Sequence, residues 1–396
     1  MTALAPGLDL QDYEQAFIHL SDKEITHTYR LFTLMNQGWL VNILSPLGMM
    51  AVKWRLPFAE GMIRRTMFKQ FCGGVNLSDC TSSIEQLYEH EVQTVLDYGV
   101  EAKSTEEDFE IAIKENLSAM AYAEGEDAVP VVVVKVSALA DNQLLEAYSA
   151  GKKLDEQQAA AWSDLQKRLD RLADTASRTG VLMYVDGEES WVQIAIDALT
   201  IDLMSRYNAD RAVVYNTYQL YRHDKLEQLK HDYVQARAGS YILGAKLVRG
   251  AYMEKENRRA ESKGYKSPIH ISKVATDDDY NAALEYCAEK YHTIAICCAT
   301  HNTKSTELFS SCIFKHKAKR DHPHFYFSQL YGMSDNLTFN LAGSGFNATK
   351  YMVYGPVRDV YPYLVRRARE NSSLTGAVGR EYSMVTHEMK RRGLIK

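Results

Sequence analysis

The chain has 396 residues, 46% of them hydrophobic and 24% charged, with a formal net charge of −5. That balance is ordinary for a globular enzyme, and the acidic sign argues against nucleic acid as a partner, because phosphate binding needs a basic surface. The length alone predicts two or three domains, although barrels exceed that rule.

The first 88 residues read as a helical arm. In SDKEITHTYRLFTLMNQ, Ser21 stands three residues before Glu24, the spacing of a capping box, and apolar positions follow at helical intervals. Farther on, Lys53, Arg55, Arg64, Arg65 and Lys69 alternate with Trp54, Phe58, Met62 and Phe68. That mixture suits an anionic membrane surface or, more ordinarily, a helix packed on a core. The start, MTALAPGLDL, has neither the basic run nor the apolar core of a signal peptide. No window of about 20 uncharged apolar residues is present, so the expectation is a cytoplasmic protein without a spanning helix.

From Val92 the pattern changes. Short apolar runs recur, each followed by a helix-like stretch: VQTVLDYGVE, VPVVVVKVSAL, VLMYVDGEE, RAVVYNTYQL, YILGAKLVRGAY, TIAICCATHN, HFYFSQLYG and KYMVYGPV. Near-continuous apolar strands alternating with amphipathic helices predict a parallel sheet covered on both faces. Eight such units over roughly 280 residues match a (βα)8 barrel in size and count. The expected organisation is an arm over 1–88 and a TIM-type α/β barrel over 89–396. A doubly wound sheet is the alternative, weakened by the lack of GxGxxG after the first strand. The six cysteines form no CxxC pair and read as reduced, buried thiols, with Cys297 and Cys298 on opposite faces of one strand.

The runs end in polar residues and glycines that an ordinary strand end does not need. They supply Lys135, then Asp186, Gly187 and Glu188, then Asn216, Tyr218 and Gln219, then Lys246, Arg249, Gly250, Ala251 and Tyr252. The later ones add Thr300, His301 and Asn302, then Gln329, Leu330 and Tyr331, and finally Tyr354. In a parallel barrel these ends share one rim, where barrel enzymes place their active sites. No nucleophile elbow and no HExxH occurs, and the single pair His322 and His324 makes no metal site by itself. Lys135 or Lys246 could serve a Schiff-base lyase. Planar hydrogen-bonding groups, glycines and aromatics together suit a large planar cofactor and a small acid. In YLVRRAREN, helical spacing puts Tyr363, Arg366, Arg367 and Glu370 on one face. Asp359 is expected to cap this helix and Pro362 to lie in its first turn. Its arginines are either a surface ion-pair face or a carboxylate clamp.

Taken together, KLVRGAY, ATHN, QLYGM, YGPV and YLVRRAREN resemble the proline dehydrogenase family over about Val92 to Ser373, with FCGGVNLSDC similar to that family's helical arm. The resemblance implies a distorted (βα)8 barrel and a flavoenzyme that binds FAD without a covalent link, oxidises L-proline to Δ1-pyrroline-5-carboxylate and passes electrons to a membrane quinone. It implies that Lys135, Arg366 and Arg367 clamp the proline carboxylate, that Tyr252, Leu330, Tyr354 and Tyr363 shape the ring pocket, and that Asp186 orients a neighbour. It implies FAD contacts from Gln219, Lys246, Val248, Arg249, Gly250, Ala251, Thr300, His301, Asn302 and Glu370, with no metal. Some members carry arginine where Lys246 stands, beside flavin N5. A separate pyrroline-5-carboxylate dehydrogenase would take the product, and a peripheral inner-membrane contact would serve the quinone. Hydroxyproline oxidation by the same machinery and a Schiff-base lyase remain the alternatives.

Overall fold

A computed structural model describes residues 7–37, 48, 50, 51, 54, 59–372 and 377–396, without the side chains of 59, 368–372, 377 and 378. All eight runs form strands: β1 (Gln93–Tyr98), β2 (Val131–Val134), β3 (Leu182–Val185), β4 (Val214–Gln219), β5 (Leu243–Val248), β6 (Ile294–Ala299), β7 (Phe325–Leu330) and β8 (Ala348–Tyr354). They follow one another in chain order, and the sheet closes because β8 pairs with β7 as well as with β1. The result is a (βα)8 barrel of parallel strands. A short strand, Cys72–Gly74, adds to the edge of β8, with Cys72 opposite Val353.

The chain divides into two compact units. One is built mainly from Val100–Ser328, the other from Leu8–Gly99, Gln329–Ser344 and Ala348–Lys396.

In the first unit, the four valines of β2 are all buried and pair in register with Leu182–Val185 of β3. Strands covered on both faces need no alternation, and β-branched residues fit the pleat. The helix Glu156–Thr179 begins with a capping box from Asp155 and Gln158 and ends at Gly180 in the left-handed region, φ 83°. At the N-terminal ends of β4 and β5, Asn208 ties the chain together. Its Oδ1 accepts from Val213 N and Val214 N, both at 2.9 Å, and its Nδ2 donates to Val214 O at 2.8 Å and Ile242 O at 2.9 Å. Cys297 and Cys298 are both buried in β6. Burial pushes their thiols up, to about 11 and about 12.

In the second unit, the capping box at Ser21 and Glu24 opens the helix Asp22–Met35 as its spacing predicts. Lys53, Arg55 and Phe58 lie outside the described residues. Phe68 is a core residue, 3% exposed, within a π-helical turn, Arg64–Phe68, and Arg64 pairs with Asp79. The helix carrying YLVRRAREN starts earlier than expected, at Val357, and runs to Ser372. Asp359 therefore lies inside the first turn instead of capping it, and Pro362 falls within the helix body. The start is set by Pro356, whose carbonyl accepts from Asp359 N and Val360 N. Among the described residues, no helix is long and apolar enough to cross a membrane.

Candidate active site

The strand ends of the first unit gather a buried ionic cluster. Lys135 follows β2 directly, Asp186 follows β3, and Lys246 lies in β5 opposite Thr217 of β4. Lys246 Nζ bonds Asp186 Oδ1, while Lys135 Nζ stands 3.9 Å from Asp186 Oδ2. The two lysine side chains are only 6% and 8% exposed. The longer contact is an ion pair and too long for a hydrogen bond, so it holds Lys135 by charge without using one of its donors. Asp186 thus pairs with two lysines. Lys246 also lies 5.9 Å from the ring centre of Tyr184.

The loop after β5 is held from below. Tyr221 N donates to the Arg249 carbonyl and Leu220 N to that of Val248. Arg249 spends its guanidinium on the protein itself: Nε on Asp277 at 2.7 Å, one terminal nitrogen on Thr300 Oγ1 at 2.7 Å and the other on Ser305 Oγ at 3.0 Å. It also covers the Tyr280 ring at 4.3 Å. Asn302 is occupied too, since its Oδ1 caps the helix Thr303–Lys315 through Ser305 N. Gly250 has φ +134°, and a Cβ there would lie 2.5 Å from the Tyr221 ring, so only glycine fits. Ala251 is exposed, His301 half-buried, and Tyr252 forms the N-cap of the helix Met253–Lys263.

Gln219 ends β4 and is 2% exposed. Its Nε2 donates to Glu188 O at 2.7 Å, and its amide lies flat against Gly187, where a Cβ would approach Nε2 to 2.8 Å. Sequence reasoning passed over Glu188 as a site residue. Its Oε1 accepts from Ser137 N at 2.9 Å, and burial pushes its carboxyl up to about 7. The signal was present in the third run, whose end carries two acids around one glycine.

The second unit carries the remaining expected residues. Tyr354 ends β8, is 1% exposed, and lies 5.6 Å from the Tyr98 ring. Leu330 ends β7 and is half-buried. Tyr363 and Arg367 are both 7% exposed, and the Arg367 guanidinium covers the Tyr363 ring at 5.3 Å, as i, i+4 neighbours on one helix face. A surface ion-pair face would leave Arg367 in solvent. Arg366 is half-buried, and the side chain of Glu370 lies outside those described. Among the described residues no group of three ligating side chains occurs, and His324 Nδ1 lies 2.7 Å from Tyr291 O.

The family model for proline dehydrogenase matches residues 80–380. The chain belongs to the proline dehydrogenase family. It is 34% identical, over 87% of this chain and 90% of the other, to a carbapenem antibiotics biosynthesis protein of Pectobacterium carotovorum subsp. carotovorum. It is 36% identical to the mitochondrial proline dehydrogenase 1 of Caenorhabditis elegans, over 61% of this chain and 40% of that one. Proline utilization A from Bdellovibrio bacteriovorus shares the fold, with a TM-score of 0.71 at 19% identity, over 92% of this chain and 38% of that one. The chain thus spans well under half the length of the nematode and Bdellovibrio proteins.

Proposed function

We propose that the protein is an FAD-dependent L-proline dehydrogenase that yields Δ1-pyrroline-5-carboxylate. The observation that carries this reading is the Lys135–Asp186–Lys246 cluster at the strand ends, in a chain of this family. Proline is a zwitterion with a secondary amine, and a hydrogen on Cδ, the ring carbon next to nitrogen and away from the carboxylate, leaves as hydride only when nitrogen has its lone pair. Cations that hold the carboxylate serve both needs. They lower the amine's pKa by like-charge repulsion, and they fix the C–H bond in orientation. Lys135 fits this role by burial and charge. Arg366 and Arg367 take it by their motif, and Tyr252, Leu330, Tyr354 and Tyr363 the shaping of the ring pocket.

The first unit also fits a flavin. Lys246 is a buried cation held in place by Asp186, and the Gln219 amide at the end of β4 has its nitrogen bonded to the Glu188 carbonyl. When bound, FAD accepts the hydride, and the protein supplies position and charge. Lys246 would stabilise negative charge on the reduced ring. Gln219, Val248, Arg249, Ala251, Thr300, His301, Asn302 and Glu370 complete the proposed FAD contacts. Arg249 and Asn302 shape that surface while bonded to their own neighbours. We further assign a quinone as electron acceptor, reached by a cytoplasmic protein at the inner membrane surface, and a separate pyrroline-5-carboxylate dehydrogenase as recipient of the product.

Anaerobic addition of L-proline to the purified protein tests the reading. A flavin spectrum that bleaches supports it, and a colourless protein that binds no FAD overturns it. Borohydride trapping of substrate on Lys135 or Lys246 would instead favour a lyase. In this reading Tyr354, buried at the end of β8, packs against the substrate ring and would leave no room for a hydroxyl on the fourth ring carbon. L-Proline should therefore exceed trans-4-hydroxy-L-proline in kcat/KM by about tenfold or more, because an unsatisfied buried hydroxyl costs roughly 1–3 kcal/mol. Equal turnover would move the assignment to the hydroxyproline branch.

A second reading keeps the oxidation and changes what it serves. The match to the carbapenem biosynthesis protein covers nearly the full length of both chains, unlike the match to the nematode enzyme. Growth on proline as sole nitrogen source, with and without the gene, separates a catabolic from a biosynthetic destination.

A further inference from the structure

Behind Gln219 lies a chain of buried polar groups with a fixed direction. It starts at Asp197, on the helix Ser190–Tyr207, which is 7% exposed. Its Oδ2 receives Lys225 Nζ at 2.6 Å and Gln228 Nε2 at 2.8 Å. Its Oδ1 receives Asn216 Nδ2 and Gln193 Nε2, both at 2.9 Å. An ionised carboxylate only accepts, so it dictates which end of the Gln193 amide faces it. Burial alone would push this carboxyl up; the Lys225 charge and the bonds from Lys225, Gln193 and Asn216 outweigh it and hold the group below its usual range.

With Gln193 Nε2 committed to Asp197, its Oε1 must face the other way. There it accepts from Glu188 N at 2.7 Å and stands 3.5 Å from Gln219 Nε2. Gln219 Nε2 therefore meets two acceptors, Gln193 Oε1 and the Glu188 carbonyl. A reversed Gln193 would point an NH2 group at both Glu188 N and Gln219 Nε2. The Gln219 amide is thus turned with nitrogen inward, and among the described residues its Oε1 meets no donor.

We propose that Asp197 is a positioning residue that, through Gln193, presents Gln219 Oε1 as a hydrogen-bond acceptor, so that the part of the flavin held there is a donor. This rests on the FAD reading above. Oxidised flavin offers two kinds of donor: the ring imide N–H at N3, and the hydroxyls of the ribityl and ribose groups.

The test measures release of flavin from the purified holoenzyme by the rise of free-flavin fluorescence after dilution. Asp197→Leu combined with Lys225→Met removes the carboxylate and leaves no buried charge unpaired. It should speed release by about tenfold or more, as should Gln219→Leu. The two changes together should do no more than either alone, because they break one chain of contacts. Asp197→Asn with Lys225→Met restores an acceptor oxygen and should recover slow release. Gln193→Met breaks the same chain with no change of charge, and serves if the leucine variant does not fold. FAD methylated at N3 separates the donors: insensitivity to Gln219→Leu assigns the ring imide, and equal sensitivity assigns a hydroxyl. Slow release from the folded leucine variant or from Gln193→Met, with fast release from Gln219→Leu, overturns the proposal. So does additivity of the Asp197 and Gln219 effects. A parent protein that binds no flavin overturns the FAD reading instead.

Discussion

Two buried amides in the first unit, Asn208 and Gln219, do opposite things with the same functional group. Asn208 stands where β4 and β5 begin and meets four backbone partners, which uses both its donors and both acceptor lone pairs. Gln219 stands where β4 ends, commits its nitrogen inward, and leaves its oxygen to meet something else. Full satisfaction marks an amide that serves the fold. On the FAD reading proposed above, partial satisfaction in a fixed orientation marks one prepared for a ligand. The separation agrees with the general rule for parallel barrels, in which strand beginnings carry stability and strand ends carry chemistry.

Breaking the first of these should give the largest effect on folding. Asn208→Leu removes four hydrogen bonds and strands their backbone partners, which should cost about 3–5 kcal/mol. Urea unfolding should show that loss, and proline turnover per folded molecule should stay near the parent value. Retention of full stability would erase the contrast. At the strand ends, Asp186→Asn removes the charge that holds Lys135 and Lys246. It should lower kcat/KM for proline by roughly 100-fold, about 3 kcal/mol. The ratio of catalytic to folding loss should exceed one for Asp186 and fall below one for Asn208.

A smaller, graded effect comes from Glu188. Its folded pKa is raised from 4.5 to about 7, so between those values the folded protein binds a proton that the unfolded chain has lost. Stability from this group is present below about pH 4.5 and declines as pH rises through 7. Glu188→Gln should therefore raise Tm more at pH 8 than at pH 5, and a pH-independent difference would remove Glu188 from the account. The least effect is expected from an exposed ion pair. Arg206 pairs with Asp202 at 2.8 Å while the two side chains are 43% and 59% exposed. Asp202→Ala should change stability by under about 0.5 kcal/mol.

The sequence made the strands legible because each run is longer and more apolar than a loop can be, and helices with caps separate them. The short strand Cys72–Gly74 escaped notice: CGG has no strand pattern, and its conformation comes from pairing with β8. Position along the strands revealed Lys135, Asp186 and Lys246 as candidates, since a polar residue at the end of an apolar run stands out. Gln193, Asp197 and Lys225 gave no such signal. They lie within helices or at a helix start, where polar residues are ordinarily solvated, and only tertiary packing turns them inward. The Val357–Ser372 helix starts three residues before the start that Asp359, with the chemistry of a cap, predicts, because the residues before it can already wind.

Pro362 gives that helix a mechanical property. It has no amide hydrogen, so the carbonyl of Arg358 lacks the partner that the next turn would supply. Pro362 therefore has no hydrogen bond of its own to lose if the helix bends there, which makes that turn the natural pivot. Arg366 lies four residues along, about 6 Å from the pivot at 1.5 Å per residue. A bend of about 20°, typical of a proline kink, swings it by roughly 2 Å. That is the difference between a guanidinium touching a carboxylate and one separated from it by a layer of water.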